Sequence, residues 1–317
     1  MKWVYATVVS VPEEEQELVP RAAARRVLEA FAGKDEMAGT PASSEDCESD
    51  AGSPESPSPN TSRELSHLKK LIDRDDSLNA KMDSDFLVAF LRFCHSKHKR
   101  AFEVLKRYYD SKRKETDLFR NLLPSELDHV FSRNLVGLLP EKDKKGRFVL
   151  ILRAGAWNPN QVSFIDAVRA ILLCFEYIMT KKAAQENGLS MLCDFDGWGY
   201  SSILAVPSSK IGGITGVFPG YPIKKKRVDI VKQPYSFNVF FKMFTPFLDA
   251  ASIAKASELV HLHGTNTKAL HKRFPAKILP KEFGGNRGPF DASVCYEWLK
   301  AKEGAFAEDF EYGYVDD

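Results

Sequence analysis

The spacing of apolar residues predicts a block of helices ahead of the middle of the chain. Helical periodicity runs over 64–73 and again over 100–115. Between them, Asp83 precedes the apolar positions of 86–91 and is a residue type that caps helices. A fourth, short helix is expected after Pro124. These segments together predict a compact helical unit.

Beyond residue 135 short apolar runs alternate with helical stretches. The predicted strands cover 148–152, 189–195, 228–231 and 259–262, and the predicted helices cover 163–185, 207–217 and 237–248. Strands that alternate with helices favour an α/β fold with a mixed, mostly parallel sheet.

The segment 238–248, NVFFKMFTPFL, is apolar on almost every side. Such a helix must be buried or must meet lipid. The basic run 224–227 precedes it closely and suits an anionic surface. No stretch approaches the roughly 18–20 apolar residues of a membrane span. The pattern therefore indicates a protein that docks on membranes and holds an apolar molecule, although an ordinary core helix would have the same pattern.

Charge is distributed unevenly along the chain. Residues 1–60 carry a net charge of −7, residues 61–300 carry +14 and residues 301–317 carry −5. The Ser, Pro and acid-rich stretch 39–62 has almost nothing to bury, so disorder is expected there. The basic middle predicts an anionic partner. Its basic residues lack the interleaved aromatics that single-stranded nucleic acid requires, so no nucleic acid is expected.

The chain shows no set of acid, base and nucleophile, so we predict no enzyme, no cofactor and no metal. His261 and His263 have the alternate spacing with which some zinc sites begin, but no third ligand accompanies them. Asp194 to Gly197 is interpreted as a turn at a strand end. The cysteines within apolar patterns, Cys94, Cys174 and Cys193, are interpreted as small core residues.

Five motifs occur in a fixed order along the chain. They are DFLVAFLRF (85–93), DKKGRFVLILRAGAWNP (143–159), QENGLSMLCDFDGWG (185–199), YPIKKKRVDIV (221–231), and HLHGTNTKAL with LPKEFGG (261–285). In this order the chain resembles the CRAL-TRIO lipid-binding family, in its tocopherol- and retinaldehyde-binding branch, over roughly residues 64–300.

The resemblance implies a cavity between the sheet and a mobile helical lid, with one lipophilic molecule inside. Segment 238–248 falls where the lid should be. The residues predicted for the lid and cavity are Phe237, Phe240, Phe241, Phe244, Phe247 and Leu248, with Phe175, Met179 and Leu192.

The resemblance also implies a basic cleft that binds phosphatidylinositol bisphosphate. The residues placed on it are Lys224, Lys226, Lys255 and, with strand alternation against it, Arg227. The family motif FLRAR stands here as FLRFC, so Cys94 replaces an arginine, and Leu259 replaces another basic residue. The cleft is therefore expected to be thinner than in the best-known members, and a solvated basic face is the competing interpretation.

The predicted function is binding and intermembrane transfer of one tocopherol-, retinoid- or other lipid-like ligand, at phosphoinositide-bearing membranes. We expect a cytoplasmic, peripherally membrane-associated protein. The competing hypothesis is a lipid-sensing scaffold that recruits a protein partner through its N-terminal tail. The predicted organisation is a largely disordered extension (1–62), a helical unit (63–132), a lipid-binding domain (133–290), and a C-terminal helix with an acidic tail (291–317).

Overall fold

The computed structural model describes residues 59–224, 226–235, 237 and 260–315. Several predicted features lie outside these residues. They are the extension before residue 59 and the side chains of Phe240, Phe241, Phe244, Phe247, Leu248 and Lys255; Lys226 is described by its backbone alone.

The helical unit forms as the apolar spacing predicts. Its helices are α1 (Pro59–Ile72), α2 (Ser84–Phe93), α3 (His98–Lys114), α4 (Thr116–Phe119) and α5 (Asp128–Phe131). The predicted cap is confirmed, since a carboxylate oxygen of Asp83 accepts a hydrogen bond from the Phe86 amide at 2.9 Å. Helix α1 begins five residues before the predicted start, inside the stretch expected to be disordered.

A five-stranded sheet follows the helical unit. Its strands are β2 (Val136–Leu138), β3 (Phe148–Leu152), β4 (Leu189–Asp194), β5 (Lys226–Val231) and β6 (Val260–Leu262), in the order β2-β3-β4-β5-β6. The pairs β3–β4, β4–β5 and β5–β6 are parallel, and among the described strands of this sheet only β2 runs antiparallel to its neighbour. The predicted α/β class with a mostly parallel sheet is confirmed. Strand β2 was not predicted, because three residues are too few to show alternation.

Helices connect the strands. They are α6 (Phe164–Met179), α7 (Lys182–Glu186), α8 (Tyr200–Leu204) and α9 (Ile211–Val217). The single helix predicted over 163–185 is wrong, because Lys181 takes an extended backbone, with ψ of 128°, between α6 and α7. The side-chain amide of Gln185 then donates to the Met179 carbonyl at 3.0 Å, which pairs a carbonyl of the last turn of α6.

The C-terminal segment is tied back to the helical unit. After α10 (Ser293–Lys300) and α11 (Glu303–Glu308), strand β7 (Gly313–Tyr314) pairs antiparallel with β1 (Leu78–Asn79). Lys81 also contacts Asp309 at 2.7 Å between nitrogen and carboxylate oxygen. The described part of the predicted acidic tail therefore packs against the residues between α1 and α2.

Candidate functional site

An aromatic cluster lies beyond the carboxyl end of β4. The rings of Trp157 and Trp198 stack with centroids 5.8 Å apart, and Phe195 meets Trp198 edge-on at 5.4 Å. Phe195 in turn meets Phe237 at 4.5 Å, and Phe237 is fully buried. The first residue of the predicted lid helix is thus anchored against the end of the sheet. Trp157 and Trp198 are both buried within this cluster.

The backbone after β3 approaches the turn after β4 closely. A Cβ atom on Gly155 would lie 1.9 Å from the carbonyl oxygen of Asp196, so only glycine fits there. The turn itself is confirmed, because an Asp194 carboxylate oxygen accepts from the Asp196 amide at 3.0 Å and Gly197 has a φ of +89°. These contacts hold both Trp-bearing loops beside Phe237.

The predicted cavity residue Leu192 lies on the opposite sheet face from its neighbours in the strand. Leu192 pairs with Ile151, which pairs with Gly137, so these three share one sheet face. A Cβ atom on Gly137 would meet the side chains of the C-terminal segment, 3.2 Å from Phe290. Met191 and Cys193 therefore occupy the opposite face, in alternation with Leu192. Phe195, which contacts Phe237, follows β4 at a position that alternation assigns to the same face as Met191 and Cys193. This second face is therefore the one that leads to the predicted lid.

The other two predicted cavity residues lie on α6 and are buried. Phe175 meets the rings of Phe218 and Tyr221, each at 5.3 Å, and Met179 ends the helix. Phe175 therefore packs against the turn directly before the basic run. The assignment of Phe175, Met179 and Leu192 to a ligand cavity stays a prediction, because the predicted lid segment 238–248 is not among the described residues.

A buried carboxylate joins this turn to the helical unit. Glu176 accepts hydrogen bonds from the Tyr108 hydroxyl at 2.7 Å and the Tyr221 hydroxyl at 2.9 Å. Lys112 lies 3.4 Å from the same carboxylate. Burial, and then the charge of Glu176, raise the pKa of both tyrosines, so they remain hydroxyl donors. Helix α3, helix α6 and residue 221 are thereby joined through one side chain.

Lys224 and Arg92 both contact α7, the helix that precedes β4. Lys224 is half-buried, and its amide donates to the Ala184 carbonyl at 3.1 Å. One residue further along α7, Gln185 accepts from the guanidinium of Arg92 at 2.8 Å. Lys226 begins β5, opposite Leu189. Arg92 was not among the predicted cleft residues, although it is the arginine that the motif FLRF retains.

Arg227 has a different environment from Lys224. Its guanidinium donates two hydrogen bonds, at 2.8 and 2.9 Å, to the fully buried carboxylate of Asp229. His263 contacts the same carboxylate at 2.8 Å and Arg273 at 3.3 Å. Arg227 thus takes part in an internal ion-pair network, and its assignment to a phosphoinositide site stays a prediction that this environment disfavours.

The network also holds Asp229 ionised. Burial acts to raise the pKa of this carboxyl, but the hydrogen bonds from His263 and Arg227 lower it to about 2. His263 therefore has a structural partner, which the alternate spacing of the two histidines did not indicate.

The predicted core cysteines are confirmed. Cys94, Cys174 and Cys193 are buried, as is Cys295. Burial raises the pKa of the Cys193 thiol and of the Cys174 thiol, so neither is a reactive thiolate.

A cavity of about 560 Å³ lies between the helical unit and the C-terminal segment. Its wall includes Tyr109, Lys112, Phe119, Phe306 and Tyr312. Glu176 reaches its edge, but the predicted cavity residues of α6 and β4 do not line it. This space is therefore distinct from the predicted lipid cavity.

Among the described helices, none has both the length and the apolarity to cross a membrane.

Comparison with known proteins identifies the family. The CRAL/TRIO domain model matches residues 132–285. The alpha-tocopherol transfer protein-like protein of Homo sapiens is 30% identical over 250 residues, which are 78% of this chain and 72% of that protein. Clavesin-2 of Homo sapiens is 27% identical over 245 residues, 76% of this chain and 73% of the relative. The crystal structure of Sfh5 covers 78% of this chain and 98% of its own, at 12% identity and a TM-score of 0.46, a likeness too slight to carry a conclusion. On the domain match and the extent of the similarity to its relatives, this chain belongs to the CRAL-TRIO family.

Proposed function

We propose that the protein is a cytoplasmic carrier that binds one hydrophobic molecule between its sheet and the segment 237–248, and transfers it between membranes. Membership of a lipid-binding family and the similarity to the alpha-tocopherol transfer protein-like protein support this proposal. The observation that carries it is Phe237, which fixes the start of the predicted lid against the aromatic cluster at the end of β4. The ligand is tocopherol-, retinoid- or otherwise lipid-like.

The mechanism requires no catalysis. Burial of apolar surface stabilises the complex by about 25 cal/mol per Å². The phenylalanines of the lid segment cover the ligand when the lid is closed and meet the membrane boundary when it is open. A membrane that binds the open form more tightly shifts the equilibrium towards release or uptake.

Docking involves Lys224, Lys226 and Lys255, to which we add Arg92. Lysine and arginine donors suit phosphate because they form charge-assisted hydrogen bonds with its oxygens. Arg92 is included because it donates to Gln185, and the residue next to Gln185, Ala184, accepts a hydrogen bond from the Lys224 amide. The net charge of +14 over residues 61–300 supports an anionic membrane as the partner.

The carrier proposal is tested on full-length protein purified from eukaryotic cells. Native mass spectrometry followed by lipid extraction should detect one lipophilic molecule per chain, and fluorescent analogues of that molecule should move between vesicles when protein is added. A protein that is recovered empty and neither binds nor moves such analogues would contradict the proposal.

Docking is tested separately with phosphatidylcholine vesicles that contain or lack phosphatidylinositol bisphosphate. The double variant Lys224→Ala/Lys226→Ala should bind the first kind about 10–30-fold more weakly, since each basic residue at a membrane contributes about 1 kcal/mol. Its ligand content should not change. The matched control replaces two exposed lysines elsewhere, Lys277→Ala/Lys302→Ala, and should bind as the wild type does. Equal losses in both variants would show diffuse charge attraction without a cleft.

A further inference from the structure

Three potential metal ligands meet on the surface of the helical unit. Glu64 and His67 lie three residues apart on α1, and His98 is the first residue of α3. One ligand atom from each side chain lies within 4.8 Å of the other two. Residues three apart on a helix project from the same face, so the spacing itself directs Glu64 and His67 to one point. The packing of α3 beside α1 then supplies His98.

The contacts within this cluster leave one nitrogen unpaired. A Glu64 carboxylate oxygen lies 2.6 Å from Nδ1 of His98, which is a hydrogen bond. The other Glu64 oxygen lies 3.9 Å from Nδ1 of His67, which is too far for one. That His67 nitrogen is buried and has no hydrogen-bond partner among the described residues. A buried polar atom without a partner costs free energy, which a bound cation would recover.

The remaining geometry suits a bound ion. The two imidazole rings lie 5.0 Å apart at an interplanar angle of 62°, so both can face one point between them. The side chains of Glu64, His98 and His67 are 19%, 28% and 38% exposed, so solvent can deliver an ion and supply a further ligand. Bonds of about 2.0–2.1 Å in a tetrahedral site separate ligand atoms by about 3.3 Å, so each distance between these three ligand atoms would change by at most about 1.5 Å.

Although the sequence alone predicted no metal, we propose that Glu64, His67 and His98 bind one divalent transition-metal ion, and that zinc is the ion that their chemistry favours. Two imidazoles and one carboxylate form a His₂Glu ligand set that zinc accepts, with a water molecule in the fourth position. Lys97, Lys99 and Arg100 flank His98 in the sequence. The cluster offers a single carboxylate, whereas calcium and magnesium need several oxygen ligands, so its two imidazoles favour a transition metal.

The ion would connect α1 to α3 at the start of the described chain. It would replace the proton of the hydrogen bond between Glu64 and His98, and it would give Nδ1 of His67 a partner. Because an ion that binds the folded state alone stabilises it, zinc should protect the helical unit from local opening. The inference does not depend on the lipid carrier proposal.

The test uses the full chain, without an affinity tag, after removal of metal by a chelator. Titration with zinc should show one equivalent bound, and zinc should slow hydrogen exchange in α1 and α3. Even a change outside the ligand shell lowers metal affinity about 10–100-fold, so His67→Ala and His98→Ala should each weaken binding at least that much.

The matched control is His95→Asn. His95 is exposed and has a positive φ of 51°, a conformation that asparagine tolerates. This control should bind zinc as the wild type does. Circular dichroism reports whether each variant folds.

X-ray absorption of the zinc-loaded wild type provides a readout that needs no variant. Nitrogen and oxygen scatterers with an imidazole pattern would support the site, whereas a sulfur shell would place the ion on a cysteine and overturn it. No bound equivalent in the wild type, or undiminished binding in the folded double variant His67→Ala/His98→Ala, would overturn it as well.

Discussion

Asp229 is a fully buried carboxylate held by two guanidinium groups and an imidazole. An isolated charge in this position would be costly, but the bidentate contact with Arg227 and the hydrogen bond with His263 compensate it. The residue lies on β5, between Leu192 of β4 and His261 of β6. Its ion-pair partners His263 and Arg273 both follow β6 in the chain, so these contacts connect β5 to the residues after β6.

We predict that Asp229→Asn lowers the free energy of unfolding at neutral pH by about 3–5 kcal/mol, since it removes one partner of a buried ion pair. The folded-state pKa of about 2 lies below the ordinary value of 3.8, so the ionised carboxylate stabilises the fold above about pH 4. About 2–3 kcal/mol of that stabilisation is lost as the pH falls towards 2. Urea unfolding across this range should show wild type and variant converging.

The control for this prediction is Glu297→Gln, which changes an exposed carboxylate on α10. It should leave the free energy of unfolding within about 0.5 kcal/mol of the wild type. A constant difference between Asp229→Asn and wild type from neutral to acidic pH would contradict the assigned pKa.

At the scale of elements, the packing of α3 against residues 218–220 links the helical unit to the sheet. A Cβ atom on Gly220 would lie 3.0 Å from the Cα atom of Tyr108. The absence of a side chain there lets the turn approach α3 closely enough for Tyr108 and Tyr221 to share Glu176.

We predict opposite effects for two Gly→Ala substitutions only four residues apart. Gly220→Ala forces the turn away from α3 and should cost about 1–3 kcal/mol. Gly216→Ala lies on α9, where an added Cβ meets nothing within 4 Å, and should stabilise the protein by about 0.5–1 kcal/mol. Thermal and urea unfolding measure both changes, and effects of equal sign would contradict the packing described for Gly220.

At the scale of the molecule, a basic body lies between acidic chain ends. The segment before α1 carries a net charge of −7, and the described part of the acidic C-terminal segment packs against the helical unit through β7. Acidic ends weaken the attraction of the body to an anionic membrane, and salt screens that effect.

We predict that deletion of residues 1–58 leaves ligand content and vesicle-to-vesicle transfer unchanged. Binding to anionic vesicles should become tighter at low ionic strength, since the deletion removes a net charge of −7, and the gain should shrink as salt is added. Transfer of a fluorescent lipid and vesicle sedimentation measure the two properties. Loss of transfer with intact folding would instead favour a function that depends on the N-terminal segment, as the scaffold hypothesis holds.

Prediction from sequence succeeded where a local pattern defines the feature. The five apolar residues of β3 and the cap of Asp83 were both correct, because each depends on neighbours within a few positions. It was wrong over 163–185, because the apolar pattern of a helix continues through Lys181 whereas the helix itself is interrupted there. Residue spacing gives no signal for the contact of Gln185 with Met179 across that break, or for its contact with Arg92 of α2.

For the candidate site too, local motifs predicted some residues and the folded structure was needed for the others. The motifs identified the family and placed Lys224 beside the predicted lid, but they left Arg92 out of the basic set and included Arg227. Only the folded chain brings Arg92 to Gln185, 93 positions away, and directs Arg227 to Asp229. Alternation along β4 places Leu192 and Met191 on opposite faces, but only the register of the strands shows that Leu192 shares its face with Gly137.

The sequence by itself determined the α/β class with its mostly parallel sheet, the helical unit and the family, because apolar periodicity and ordered motifs are properties of short segments. The tertiary structure decided which charges pair, which sheet face leads to Phe237, how the acidic C-terminal segment returns to β1, and that Glu64, His67 and His98 meet. Each of these depends on contacts between residues far apart in the chain, where burial and hydrogen-bond geometry select partners that residue type alone leaves open.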